Sequence, residues 1–313
     1  MYPFKLEPIY VKTVWGSEKL AKIRQKDQII GSSWEISAHP NADNKIVNGA
    51  FAGKTLIEML DEYPKEMLGE LKKNQMLRIS FMDASQSLSI QVHPDDAYAH
   101  KYANDEGKVE AWYIVEAEPG AKLIAGTTDS DAEVIKKAVK NETIEDYVQR
   151  IEMEAGDFIC IDSCQLHAFG AGMLGLEISQ NSDTTYRFYD FHRKDDQGKE
   201  RQLHLKECFD VVDFTKRGKK MAFPKLEMGL TPMLSRKEFS ADALDLNGEY
   251  TLVPNKKTFY CLSNVGGSCE VIYGDESISL EYTENVFVPA ACDAVTLKGQ
   301  GRIIISYVEG DEK

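Results

Sequence analysis

The sequence is poor in several features that mark particular classes of protein. Its six cysteines are scattered over positions 160 to 292, and no two of them are separated by two residues. The closely spaced cysteine pairs of a structural zinc site are therefore missing. Cysteines scattered in this way are typical of intracellular chains, so we expect reduced thiols that mostly fill the core.

Basic residues and long apolar runs are also scarce. The chain has 37 Lys and Arg against 51 Asp and Glu, a net charge of -14. Nucleic-acid phosphates demand a basic face, so we expect no nucleic-acid partner. No apolar run is long enough to span a bilayer, and the N-terminal stretch MYPFKLEPIYVK lacks the apolar core of a signal peptide. We therefore expect a cytoplasmic protein with no membrane partner.

Histidine is missing from the last third of the chain. All six histidines precede residue 205, so a histidine-based metal site has to be built from the earlier residues. From about Arg217 the pattern changes to short predicted strands separated by turns, with hairpin signals at Gly266-Gly267 and Gly274-Asp275. This pattern is typical of a small antiparallel barrel or jelly roll.

One segment before that point combines strand alternation with ligand-forming side chains. In SLSIQVHPDD, alternation places Ser89, Gln91 and His93 on one face and apolar residues on the other. Pro94 cannot donate to a sheet ladder, so the polar row lies at a strand end. A single strand histidine is more often structural than a ligand, and further ligands are needed to predict a metal site.

Two later segments provide such ligands. In GKVEAWYI, Lys108 and Glu110 lie two apart on one face of a predicted strand. In GDFICIDSCQLHAFG, His167 follows a predicted strand at Phe158–Ile161 and a turn. Two imidazoles, a carboxylate and an amide suit zinc or another late divalent ion. The residues therefore predict a divalent metal site assembled from three separate segments.

The motifs together resemble a known family. VWGSEKL, WEISAHP, QVHPDD, GKVEAWYI, LHAFG and NSDTTYRFYDF, in this order, resemble the short bacterial form of type I phosphomannose isomerase. The motifs run from Trp15 to about Arg193, more than half of the chain. The resemblance implies a cupin fold and a zinc enzyme that interconverts mannose 6-phosphate and fructose 6-phosphate.

The resemblance also implies roles for individual residues. The implied ligands of one zinc ion per chain are Gln91, His93, Glu110 and His167. Arg187 matches the catalytic arginine, and Lys108 and Ser89 match positions near the substrate. The expected partner is thus a small sugar phosphate.

The chemistry of an aldose–ketose isomerisation explains these residue types. A proton leaves the carbon next to a carbonyl, which generates an enediolate, and returns to the neighbouring carbon. Lys108 is a candidate base, although a ligand carboxylate or a bound water remains an alternative. Arg187 is a permanent cation that can stabilise the enediolate, and it is expected to share a strand face with Thr185 and Tyr189. Lys101 is a further candidate cation for the substrate.

The expected fold is mainly β. Residues 1–216 are predicted to form a catalytic, metal-binding cupin domain, a double-stranded β-helix (jelly-roll) barrel with helical insertions at about 54–77 and 130–151. The first insertion reads as a helical hairpin, and the second has a Ser-x-x-Glu capping box at Ser130 and Glu133 and a second cap at Asn141. Residues 217–313 are predicted to form a smaller, structural cupin-like barrel packed rigidly against the first domain.

Other conspicuous residues receive no metal role. His39 and Trp34 are expected to pack beneath the first sheet, His100 to lie at the cavity mouth, and His192 to face away from Arg187. Two alternative functions stay open at this point. One is a metal-dependent cupin oxygenase, and the other is a sugar-phosphate-binding cupin without catalysis.

Overall fold

The computed structural model describes residues 1–309. This part of the chain contains six α-helices and 21 β-strands. The helices are α1 (Lys19–Ile23), α2 (Leu56–Glu62), α3 (Pro64–Leu68), α4 (Asp96–Tyr102), α5 (Ala132–Lys140) and α6 (Leu205–Val211). The strands are β1 (Phe4–Lys5), β2 (Ile9–Val11), β3 (Ser32–Ile36), β4 (Ala38–His39), β5 (Ala42–Asp43), β6 (Leu77–Ala84), β7 (Ile90–Val92), β8 (Glu110–Ala117), β9 (Lys122–Thr127), β10 (Val148–Glu152), β11 (Asp157–Ile161), β12 (His167–Ala168), β13 (Met173–Gln180), β14 (Tyr186–Tyr189), β15 (Met221–Ala222), β16 (Gly229–Ser235), β17 (Ser240–Leu252), β18 (Tyr260–Tyr273), β19 (Glu276–Leu280), β20 (Asn285–Val288) and β21 (Val295–Tyr307).

Two antiparallel sheets enclose the region that carries the predicted site. The larger has the strand order β15-β11-β8-β13-β6-β3-β2, and the smaller has the order β10-β9-β12-β7-β14. Their inner faces share one apolar cluster, which contains Met82 and Trp112 from the larger sheet and Leu123 from the smaller. The two sheets therefore pack face to face, as in a cupin sandwich.

Strand alternation decides which side chains enter the space between these sheets. Along β8, Ala111 and Tyr113 belong to a cluster on the outer face, whereas Trp112 and Ile114 belong to the inner cluster. Because the side-chain period of a strand is two, Glu110 falls on the inner face. Helices α5 and α6 cover the outer face of the smaller sheet, and α2 and α3 pack on the outer side of the larger one.

The third sheet has the order β1-β20-β18-β21-β17-β16, with β19 paired to β18. One of its faces contributes to the cluster that also covers the outer face of the larger sheet, so one core joins the two. At this junction each part of the chain contributes a strand to a sheet formed mainly by the other part. The N-terminal strand β1 pairs with β20, while β15, from beyond residue 217, pairs with β11.

The prediction of short strands and turns after residue 217 was partly wrong. Strands β17, β18 and β21 are 13, 14 and 13 residues long rather than short. Gly266-Gly267 is not a hairpin but lies inside β18, directly after a register shift between Asn264 and Gly266. Gly267 has φ +82°, and a Cβ there would lie 2.0 Å from the carbonyl oxygen of Gln300, so the close approach of β21 requires glycine. The hairpin at Gly274-Asp275 is confirmed, since Tyr273 pairs with Glu276.

The two helical insertions have different outcomes. The first is confirmed as α2 and α3, which begin at the capping box of Thr55 and at Pro64. In the second, α5 is capped by Asp131 and not by Ser130, because the Asp131 carboxylate accepts the Glu133 N–H at 2.8 Å. Asn141 ends α5 instead of starting a helix, and the chain continues through a 3₁₀ turn into the edge strand β10. Pairing with β9 overrides the local helical preference there.

Two composition-based expectations can be compared with the structure. All six cysteines are free thiols, four of them buried, as expected for core filler. Within residues 1–309, no helix has both the length and the apolar character that crossing a membrane requires.

Candidate metal centre and substrate cavity

Three buried side chains from three segments converge between the two sheets. His93 follows β7, Glu110 begins β8 and His167 begins β12. One ligand-forming atom from each lies within 4.8 Å of the other two, and all three side chains are at most 2 % exposed. The cross-strand pair of His167 with Gln91 brings the fourth predicted ligand alongside. The structure thus brings together the whole predicted set.

Backbone carbonyls orient both imidazole rings. His93 Nδ1 lies 2.8 Å from the carbonyl oxygen of Thr184, and His167 Nδ1 lies 2.8 Å from that of Gln165. A carbonyl can only accept a hydrogen bond, so each Nδ1 carries the proton. In the neutral rings this leaves both Nε2 lone pairs directed at Glu110, at 3.5 Å for His93 and 3.2 Å for His167. This is the tautomer that a metal-ligating histidine needs.

The side chain of Gln91 closes the group. Its Nε2 lies 3.5 Å from His93 Nε2 and 3.3 Å from His167 Nε2, and its Oε1 accepts from Ser89 Oγ at 3.0 Å. An amide binds a cation through its oxygen, which a half-turn about the last side-chain bond would direct toward the imidazoles. Ser89 and Gln91 both line the cavity described below, as their alternation predicts. Leu88, expected on the opposite face, lines the same cavity because β7 begins only at Ile90.

The protonation states in this group suit a cation. Burial lowers the pKa of His167 to about 4, with His93 acting in the same direction and Glu110 opposing it. Burial acts to raise the pKa of Glu110, but Lys108 and the two imidazoles hold it well below its usual range. Near pH 7 His167 is therefore neutral and Glu110 is a carboxylate, the forms that bind a metal.

A chain of ion pairs extends from this group. The Lys108 ammonium donates to Glu110 Oε2 at 2.7 Å and to Glu177 Oε1 at 2.8 Å. Glu177 also accepts from Arg78 Nη2 at 3.3 Å and from Ser179 Oγ at 2.9 Å. Burial acts to raise the pKa of Glu177, but Lys108 and Arg78 bring it below its usual value even though Glu110 acts against them. The site thus has two carboxylates joined by one buried ammonium.

Glu177 and Arg78 are functional-site residues that the sequence reasoning missed. A signal for Glu177 existed in MLGLEISQ, where Glu177 and Ser179 alternate with apolar residues as His93 does in its strand. Arg78 belongs to LRISFMDA, which is buried throughout and has a less regular alternation. Its place beside Glu177 follows from the pairing of β6 with β13.

A cavity of about 380 Å³ is lined by Arg78, Gln91, Lys108, Glu110 and Glu177, whereas His93 and His167 are not part of its lining. Among the described residues, three buried charged atoms on its lining lack a hydrogen-bond partner: Arg78 Nε, Glu110 Oε1 and Arg187 Nε. Buried polar atoms in folded proteins are nearly always paired, and unpaired ones call for an explanation such as a ligand or ion. The donor set and the unpartnered Glu110 oxygen both fit a divalent cation coordinated by nitrogen and oxygen.

Arg187 lies on β14, opposite Gln91 on β7. Thr185 lines the cavity with it, as predicted, but a register shift after Arg187 places Tyr189 outside the lining. Arg201 enters the same wall and donates to both oxygens of Asp190. Burial and the nearby charge of Arg201 lower the pKa of Arg187, so this wall is rich in positive charge and receptive to an anion.

The remaining conspicuous residues lie away from the metal group. His39 faces Asp105 at 3.3 Å, and His100 and His192 are half-exposed beside surface glutamates. Lys101 lies over the Tyr102 ring, 4.7 Å from its centroid, and does not line the cavity. Trp34, expected beneath the sheet, instead lines the cavity and stacks on Arg78 at 4.5 Å, because its strand β3 pairs with β6.

Comparison with known proteins identifies the family of the chain. The family model of the type I phosphomannose isomerase catalytic domain matches residues 4–118, and that of the mannose-6-phosphate isomerase cupin domain matches residues 231–308. Mannose-6-phosphate isomerase ManA of Bacillus subtilis is 32% identical over 313 residues, covering 98% of this chain and 99% of that protein. The chain belongs to the type I phosphomannose isomerase family. The resemblance inferred from the motifs is thereby confirmed.

Further members and solved structures extend the comparison. The mannose-6-phosphate isomerase of Streptococcus mutans is 32% identical, covering 96% of this chain and 98% of that protein. The crystal structure of the Bacillus subtilis mannose 6-phosphate isomerase superposes with a TM-score of 0.89 at 30% identity, over 98% of this chain and 99% of that one. The expected cupin-type fold is confirmed, with open sheets rather than closed barrels.

A more distant structure has the same fold. A mannose 6-phosphate isomerase described as bound with zinc and yttrium superposes with a TM-score of 0.75 at 17% identity, over 99% of this chain and 100% of that one. At this identity the likeness concerns the fold. Membership of the phosphomannose isomerase family makes this chain an enzyme of the isomerase class.

Proposed function

We propose that the chain interconverts mannose 6-phosphate and fructose 6-phosphate at a single zinc ion. The proposed ligands are Gln91, His93, Glu110 and His167. The observation that carries the proposal is a buried group of two imidazole nitrogens and a carboxylate within 4.8 Å of one another, whose Glu110 lies on the wall of a cavity that also holds unpaired guanidinium nitrogens. When bound, a zinc ion supplies a Lewis acid that polarises sugar oxygens.

Lys108 is proposed to move the proton, with Glu177 as its partner. In the conversion of the aldose, a proton leaves C2 and arrives at C1, while another passes from the C2 hydroxyl to the C1 oxygen. Lys108 can take the C2 proton only as a neutral amine, so its own proton must first pass to an acceptor. Glu177 Oε1, at 2.8 Å from Lys108 Nζ, belongs to a carboxylate in contact with Lys108 that is not a proposed zinc ligand, so it is the proposed route for that proton. Lys108 then returns the abstracted proton to C1.

Arg187 is proposed to stabilise the negative charge of the enediolate. Its Nε has no protein acceptor among residues 1–309, so its hydrogen-bonding capacity is available to a ligand. Ser89, 2 % exposed and on the cavity lining, is proposed to contact the sugar.

Local cations matter here because the whole chain is acidic. A net charge of -14 repels a sugar phosphate at long range. Arg187 and Arg201 line one wall of the cavity and oppose this repulsion where the substrate binds. The sugar phosphate remains the proposed partner, and the cytoplasm the proposed location.

An isomerase assay coupled to detection of fructose 6-phosphate tests the proposal. Purified protein is expected to carry about one zinc per chain, to lose turnover after chelation and to recover it when zinc is returned. Full turnover in a demonstrably metal-free sample would contradict the metal mechanism. Tight binding of mannose 6-phosphate without turnover would favour a sugar-phosphate-binding cupin, and oxygen consumption dependent on bound iron would favour an oxygenase.

A further inference from the structure

Asp105 lies outside the cavity, yet its carboxylate holds the segment that orients His93. This residue is in the loop after α4, and its Oδ2 accepts from the Thr184 hydroxyl at 2.7 Å and from the Thr184 N–H at 3.1 Å. The same oxygen accepts from the Asp183 N–H at 2.9 Å and the Ser182 hydroxyl at 3.1 Å. The carbonyl of Thr184 in turn accepts from His93 Nδ1 at 2.8 Å.

The second oxygen of Asp105 is held as well. Oδ1 accepts from the Glu106 N–H at 2.9 Å and lies 3.3 Å from His39 Nε2. Because His39 Nδ1 accepts from the Asn41 N–H, the neutral His39 ring carries its proton on Nε2 and donates it to Asp105. The side chain of Asp105 is 12 % exposed, so six donors converge on a mostly buried carboxylate.

These donors keep Asp105 ionised. Burial acts to raise the pKa of its carboxyl, but His39, Thr184 and the amides of Asp183 and Glu106 hold it well below its usual range. Ionised, the group only accepts hydrogen bonds, which matches the donors around it.

The two histidines of the metal group differ in what they depend on. The carbonyl partner of His167 is that of Gln165, two residues earlier in the chain. The carbonyl partner of His93 is 91 residues away in sequence, in a segment between β13 and β14 with no ladder of its own. Contacts from outside the segment therefore fix the Thr184 carbonyl. Asp105 supplies four of them, and Asn41 and Arg78 also hold Asp183.

We propose that Asp105 is a positioning residue for the metal centre, which acts through the Thr184 carbonyl to set the tautomer and orientation of His93. The inference rests on the metal-ligand role proposed for His93. Partners of this kind hold a ligating imidazole in place, and their loss typically weakens metal binding about 10- to 100-fold. Asp105 also fixes the chain two residues before β14, the strand that carries Arg187.

The test compares zinc affinity and the cobalt(II) spectrum in variants of the full chain. Asp105→Ala is expected to raise the zinc Kd about 10- to 100-fold and to change the visible spectrum of the cobalt-substituted protein. Asp157→Ala is the matched control. Its carboxylate is 7 % exposed and accepts from the Glu154 N–H and the Lys220 ammonium, both at 2.8 Å, away from the metal group. This control is expected to lower Tm while leaving zinc Kd and the cobalt spectrum unchanged.

Two milder variants keep the inference testable if Asp105→Ala does not fold. Thr184→Val keeps the backbone and removes one donor to Asp105, so zinc Kd is expected to rise about 2- to 10-fold, the scale of a single hydrogen bond. Asp105→Asn keeps one acceptor oxygen for the 182–184 segment and is expected to bind zinc more tightly than Asp105→Ala. In a double variant, Thr184→Val should add little to Asp105→Ala, because both remove the same contact.

The outcomes separate this inference from the proposed function. If the unmodified protein binds no zinc, or if His93→Ala binds it equally well, the proposed metal site is wrong and this inference with it. If zinc binds through His93 while Thr184→Val and every folded Asp105 variant keep the original Kd and cobalt spectrum, the inference alone is overturned.

Discussion

The C-terminal sheet and the cavity between the other two sheets both bury charged side chains, but they differ in how those charges are satisfied. In the C-terminal sheet, Arg302 donates from Nε and Nη2 to the two oxygens of Asp245, each at 2.8 Å. Arg302 also donates to the carbonyls of Phe223 and Pro224, and Asp245 accepts the Leu226 N–H. This pair is a closed, structural unit.

Within residues 1–309, three charged side chains that line the cavity keep hydrogen-bonding atoms without partners. Arg78, Glu110 and Arg187 each present an atom with no hydrogen-bond partner among the described residues, and all three line the same space. Leaving a buried charge unpaired is costly, so such groups persist where a ligand or ion completes them. Neutral buried atoms without a partner in the described part of the chain also occur in the C-terminal sheet, at Ser263, Asn285 and Ser306, so it is charged groups with unsatisfied hydrogen-bonding atoms that distinguish the candidate site from this sheet.

The largest expected effect comes from breaking the closed pair. Asp245→Ala leaves Arg302 buried without its counter-charge, and we expect a loss of about 3–5 kcal/mol in the free energy of unfolding, measured with urea. Under conditions where the variant is folded, kcat and KM should match the unmodified protein. A strongly raised KM in the folded variant would mean that the C-terminal sheet takes part in the site.

Removal of an open charge should act on catalysis instead. Arg187→Ala is expected to lower kcat by about 10²-fold or more while zinc content and Tm stay unchanged, the scale seen when one preorganised charge stabiliser is lost. Arg187→Lys should recover only part of this, because an ammonium cannot reproduce the planar guanidinium. A raised KM with unchanged kcat would reassign Arg187 to anchoring the substrate equally in ground and transition states.

The closed pair should also show in the pH dependence of stability. Burial acts to raise the pKa of Asp245, but its hydrogen bonds with Arg302 and the Leu226 N–H lower it below the ordinary 3.8. A carboxyl with a lowered folded-state pKa stabilises the protein fully above its ordinary pKa, and this contribution is lost as pH falls below that value. The difference in unfolding free energy between the unmodified protein and Asp245→Ala should therefore narrow below about pH 4. A difference that stays constant down to pH 2 would show that Asp245 is not held as a carboxylate by its pair.

The smallest effect is expected at an exposed pair of the same sheet. Lys298 and Glu249 lie 2.7 Å apart with both side chains about 60 % exposed. Water and salt screen such a pair, so Lys298→Ala should leave Tm, zinc content and KM within experimental error. Loss of substrate binding in this folded variant would show that the sheet has a functional surface.

The four proposed ligands could be predicted because their placement depends on local rules. Strand alternation sets the faces of Gln91 and Glu110, while His93 directly follows β7 and His167 begins β12. The cupin-type fold was predicted from the family that the motifs resemble and is confirmed by the structural comparison. Tyr189 was misplaced because a register shift inside β14 breaks the alternation, and one sequence does not reveal such a shift.

Residues whose position depends on contacts between distant parts of the sequence could not be predicted. Arg201 reaches the cavity from a segment without strand or helix periodicity, and Asp105 lies in a loop. Gly266-Gly267 looked like a turn because glycine serves both turns and close strand approaches, and only the position of β21 distinguishes the two. The same limit applies to β10, which is a strand because β9 offers it a partner.

The most direct test of the account is the zinc content and isomerase activity of three histidine variants, measured on the same preparations. His93→Ala and His167→Ala should lose bound zinc and activity together, because each removes a buried imidazole from the group of ligands. His192→Ala, which changes a half-exposed histidine outside that group, should retain about one zinc per chain and full turnover. Normal zinc content in both His93→Ala and His167→Ala would contradict the proposed metal centre.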